Sequence, residues 1–75
     1  MKVWMILFLL QRPDGLHQPA FKTVATFEEC MFELSTGLQS AAEERIPIRG
    51  KCVAYDGKNE DLVALRVAVE MAEGN

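Results

Sequence analysis

Seventy-five residues leave room for one domain, near the size at which a single core only just outweighs the entropy of ordering the chain. With 49% apolar and 25% charged residues the composition is that of a folded chain, which excludes a disordered one, and a net charge of −3 disfavours a nonspecific grip on nucleic-acid phosphates. No internal repeat, low-complexity tract or Ser/Gly linker suggests an array or a tethered module.

Val3 to Leu10 is an unbroken apolar run behind Lys2. As a secretory leader it lacks a small-x-small cleavage site, since Gln11, Arg12, Pro13, Asp14 and Gly15 follow. As a membrane span it falls far short of the roughly 20 apolar residues required. It reads as a first strand, kept in the mature protein and closed by Pro13-Asp14-Gly15, in which Pro13 pre-sets a turn and Gly15 accepts positive φ. Leu16 to Val24 then predicts a second strand, and Pro19 puts it at a sheet edge because proline cannot donate to a ladder.

Thr26 followed three residues later by Glu29 is a capping box, so a helix is expected from about Phe27. Phe27, Cys30, Met31, Leu34, Leu38, Ala41 and Ala42 recur at helical spacing on one face. Pro47 pushes Ile46 out of the helical region, so the helix ends by about Arg45. Gly37, in mid-helix, marks close packing. Lys51 to Asp56 predicts a third strand, with Lys51, Val53 and Tyr55 on one side and Cys52 and Ala54 on the other. The last segment alternates like a strand at Val63, Leu65, Val67, Val69 and Met71, but it reads better as a helix. Asn59, Glu60 and Asp61 suit its start, Gly74 its end, and Arg66, Glu70 and Glu73 share one narrow stripe.

The expected fold is α+β, in the order β-β-α-β-α, with a three-stranded antiparallel sheet of spatial order 2-1-3 and two helices. In the central strand Trp4, Ile6, Phe8 and Leu10 line one face and Val3, Met5, Leu7 and Leu9 the other, so both faces want burial. Either the second helix crosses to the far face or a partner covers it.

The candidate chemistry is sparse. Cys30 and Cys52 are the only cysteines and both could face one core. They read as two buried thiols, as a disulfide where the compartment is oxidising, or as a reactive pair, though the C-x-x-C spacing of thiol oxidoreductases is absent. His17, the sole histidine, completes no zinc pattern with them, so no metal and no cofactor is expected. Arg45, Arg49 and Lys51, joined by Arg12 and Lys22, could gather into a basic edge if the outer strands flank the first. Lysine on edge strands also serves simply to block aggregation. The outer face of the first helix is acidic, from Glu28, Glu29, Glu33, Glu43 and Glu44, and Phe32 projects away from its apolar stripe.

The stretch "TVATFEECMFEL", followed about twenty residues on by "KCVAYD", resembles small uncharacterised proteins encoded by tailed bacteriophages, in which a helix with an early cysteine precedes a Cys-Val strand. Many of those carry a signal peptide, whereas the cleavage site expected of one is missing from this opening. The resemblance implies a viral origin, a place in the bacterial cytoplasm or on the virion, and no particular mechanism. The chain is thus expected to bind rather than catalyse, as an accessory or structural protein that self-associates into a homo-oligomer or docks through an apolar surface. Trp4, Phe8, Phe32, Leu62, Val63 and Val67 are its candidate contacts. A monomeric inhibitor of a host protein is the alternative, and a thiol-dependent enzyme using Cys30 the third reading.

Overall fold

The computed structural model describes residues 2–73 and has three strands and two helices in the expected order. β1 (Val3–Gln11) is central, paired antiparallel with β2 (His17–Val24) on one side and β3 (Ile48–Tyr55) on the other. α1 (Phe27–Glu43) joins β2 to β3, and α2 (Glu60–Ala72) follows β3.

Local chemistry sets most boundaries. In the hairpin, the Gly15 N–H donates to the Arg12 carbonyl and Gly15 takes φ +87°, while Asp14 Oδ1 accepts from the Leu16 N–H. Thr26 caps α1 by accepting the Glu29 N–H at 3.1 Å. At the other end of α1, Arg45 adopts φ +58° and the Ile46 N–H donates to the Ala41 carbonyl at 2.8 Å, the closing pattern of a Schellman motif with arginine where glycine is usual. Because a side chain in that region costs about 1 kcal/mol, Arg45→Gly is expected to raise stability by about 0.5–1 kcal/mol in urea titrations.

Two elements differ from the sequence expectation. β3 begins at Ile48 rather than Lys51, because Ile48, Arg49 and Gly50 pair with Leu10, Leu9 and Phe8. Asn59 occupies the N-cap position of α2 but sits at φ +55° and makes no capping bond with its side chain. Gly74, expected to end α2, lies outside the described residues.

α2 crosses to the second face, which decides how β1 is buried. On one face Ile6, Val24 and Cys30 form a core with Trp4, Phe8, Leu34 and Cys52 packed against it beneath α1. On the other, Met5, Leu7, Leu9 and Tyr55 pack against Ala64, Val67, Ala68 and Met71 of α2. Polar clasps hold α2 at both ends. Tyr55 Oη and Thr23 Oγ1 hydrogen-bond each other at 2.8 Å, and both lie 3.3 Å from Glu60 Oε2, which accepts from whichever hydroxyl does not donate to the other, while Arg49 Nη1 donates to the Met71 carbonyl at 3.0 Å. On the α1 face the ring of Phe8 fills the space left by two glycines. A Cβ on Gly37 would lie 2.5 Å from Phe8 Cζ, and one on Gly50 would meet Leu34 as well as Phe8.

Candidate functional site

Each predicted residue finds a definite place. Cys30, in the first turns of α1, is fully buried, and Cys52 reaches it from the α1 side of β3, opposite Ile6. The two are joined as a disulfide across 6.2 Å between Cα atoms, so among the described residues no cysteine is free. Neither sulfur therefore has a thiolate to offer as a nucleophile in this state. The described residues include no group of three or more His, Cys, Asp or Glu side chains placed to hold a metal, and His17 stands exposed at the start of β2.

The candidate contacts divide. Val67 is a correction: at 4% exposure it is a core residue, because α2 turns it toward Met5 and Leu7. Val63 is half-buried against the same cluster. Trp4 and Phe8 are not on an open sheet face either. Both are half-buried on the α1 side, Trp4 with its ring 4.8 Å from that of Phe27 and tilted by 56°. Phe32 and Leu62 are exposed, at 73% and 66%. Sequence reasoning missed two neighbours of Leu62 on the outside of α2, Leu65 at 59% and Val69 at 47%. Their spacing of i, i+3 and i+7 was visible as a second apolar face, on the opposite side of the helix from Ala64, Val67, Ala68 and Met71.

The basic edge is also smaller than expected. β2 and β3 lie on opposite sides of β1, so Lys22 is far from Lys51 in the sheet and instead pairs with Glu33 at 2.7 Å. Arg12 pairs with Asp14 at 3.4 Å in the hairpin turn. Arg49 and Lys51 remain, on the α2 side of β3, opposite Leu9 and Leu7. Exposed Arg45 follows the end of α1.

The open side of β2 borders a groove of different character. Lys22, Thr23, Val24 and Ala25 form its floor, and Glu28, Glu29, Phe32 and Glu33 its wall. Among the described residues Glu28 and Glu29 have no ion-pair partner, and Glu33 Oε2 is buried without a hydrogen-bond partner. The groove thus combines an exposed aromatic ring with a surplus of negative charge. A cleft at the other end of the sheet, lined by Gln11, His17, Arg49 and Glu73 around Leu9, Pro47, Ile48 and Ala72, mixes both signs of charge beside the carbonyl end of α2. No described helix is long and apolar enough to cross a membrane. Comparison of the chain with known protein families, with curated proteins and with solved structures finds no match.

Proposed function

We propose that the chain acts as a non-enzymatic binding protein, in a small accessory or structural role, that pairs with a second copy of itself through the outer face of α2. One observation carries this reading. α2 is apolar on two opposite sides, and only the side of Ala64, Val67, Ala68 and Met71 is used by the fold. Leu62, Leu65 and Val69 remain in water on a helix whose other side already supplies its anchorage. An exposed seam at heptad-like spacing is what two helices bury when they pack side by side. A seam of this length is short, so affinity on the order of micromolar is expected rather than a permanent complex.

Sedimentation equilibrium in about 1 M salt, where charge contacts are screened to roughly 3 Å, tests the apolar contact by itself. The native sequence is expected to approach twice the mass of one chain as concentration rises, and Leu65→Lys to stay at the mass of one chain. Leu65 is exposed, so that change leaves folding within about 0.5 kcal/mol. A native chain that keeps the single-chain mass across the whole concentration range would overturn the reading.

A further inference from the structure

The two helices cover the sheet diagonally. α1 packs mainly over β3 and β1, and α2 over β1 and β2. Each face therefore has one edge strand that its helix covers least: β2 on the α1 side, where Val24 packs inward, and β3 on the α2 side, where Tyr55 does. The open strips carry opposite charge. Beside β2 stand Glu28, Glu29 and Glu33, with Lys22 the one cation among the described residues of that groove, and the α2 side of β3 presents Arg49 and Lys51. Arg49 spends one N–H on the Met71 carbonyl and Lys51 is exposed.

The geometry points to a second interface, distinct from the outer face of α2, in which the β3 edge of one copy pairs with the β2 edge of the next. β2 and β3 both run antiparallel to β1, and so parallel to each other. A half-turn about the axis that crosses the strands brings β3 beside the neighbour's β2 in antiparallel orientation, the stronger form of pairing. The same half-turn exchanges the faces. The α1 side of the neighbour then lies on the α2 side of the first copy, so Arg49 and Lys51 face the Glu28, Glu29 and Glu33 wall across the new pair of strands.

Pairing of like edges is disfavoured by the same charges. Two β3 edges would bring Lys51 and Arg49 against their own copies, and two β2 edges would oppose the acidic walls. Pro19 lacks an N–H and limits the paired stretch of β2 to its last five residues, from Ala20 to Val24. Because the contact joins unlike edges, it does not close on itself and adds copies along a ribbon.

The test uses Leu65→Lys protein throughout, so that the α2 contact is absent, with weight-average mass read by sedimentation in low salt. Leu65→Lys is expected to exceed the mass of one chain in a concentration-dependent way and to return to it in about 1 M salt. Adding Lys51→Glu, or Glu28→Lys with Glu29→Lys, weakens association by roughly tenfold or more. Mixing those two variants, or combining all three changes in one chain, restores it. Circular-dichroism melting identifies any variant that has unfolded. For such a variant the neutral Lys51→Gln, or Glu28→Gln with Glu29→Gln, is expected to give the same direction of loss. Single-chain mass for Leu65→Lys in low salt overturns the proposal, as does a mixture that stays dissociated. Neither result touches the α2 reading, which is measured in high salt on the native chain.

Discussion

Reduction of the Cys30–Cys52 bridge is expected to lower the free energy of unfolding by about 3 kcal/mol. The two cysteines are 22 residues apart, and closing a loop of that length removes about this much from the unfolded chain's conformational freedom. A core this small supplies only about 3–5 kcal/mol in total, so the reduced chain sits near its folding threshold. In thermal melts with and without dithiothreitol the midpoint should fall by roughly 12–24 °C. The fold does not otherwise oppose reduction: the Met5 carbonyl oxygen lies 3.7 Å from Cys30 Sγ and can accept from the thiol once it forms. A Cys30→Ser/Cys52→Ser chain, insensitive to reductant, is the control. Equal midpoints for the native chain in both conditions would mean that the bridge contributes nothing to stability.

Leu7→Ala is expected to cost about 2–5 kcal/mol and, in the reduced chain, to abolish folding. Leu7 is fully buried at the middle of the central strand, on the face that α2 covers, and its neighbours are held there by the clasps at both ends of α2. With Glu60 and the Met71 carbonyl both tied to the sheet, α2 has little freedom to settle into the space left behind, which favours the upper half of that range. Leu7→Met, which keeps the volume, should cost less than about 1.5 kcal/mol. Urea titrations of the oxidised proteins measure both. If Leu7→Ala costs under about 1 kcal/mol, α2 is not packed on this face as described.

The candidate surface was legible only in part. Phe32 stands out in the sequence because it projects away from the apolar stripe of α1, and it is exposed, as is Leu62. Val67 does not separate from Leu65 on the same grounds. α2 alternates apolar residues so evenly that a strand, an inward helical face and an outward one all fit, and intrinsic pattern cannot rank them. The small side chains of Ala64 and Ala68 settle it in three dimensions, since they let the helix lie close over Met5 and Leu7 and turn Leu62, Leu65 and Val69 away. The basic edge came out smaller than expected for a related reason. Lys22 and Lys51 look alike along the chain, and only their positions on opposite edges of the sheet assign one to a glutamate and leave the other open.

By itself the sequence determined the number, type and order of the elements, because each is written in local chemistry. An apolar run of strand length, a Pro-Asp-Gly turn, a threonine cap and a proline stop act over a few residues and need no distant partner. It also determined that both faces of β1 had to be covered. The tertiary structure decided what covers them, where β3 begins, and which cysteine environment results. Ile48 to Gly50 become strand only because Leu10, Leu9 and Phe8 offer them a ladder, and that register carries Cys52 beneath α1 to Cys30. The diagonal placement of the helices, which leaves one acidic and one basic edge open, is likewise a property of packing. It depends on residues far apart in the chain meeting across the sheet, and no local pattern encodes it.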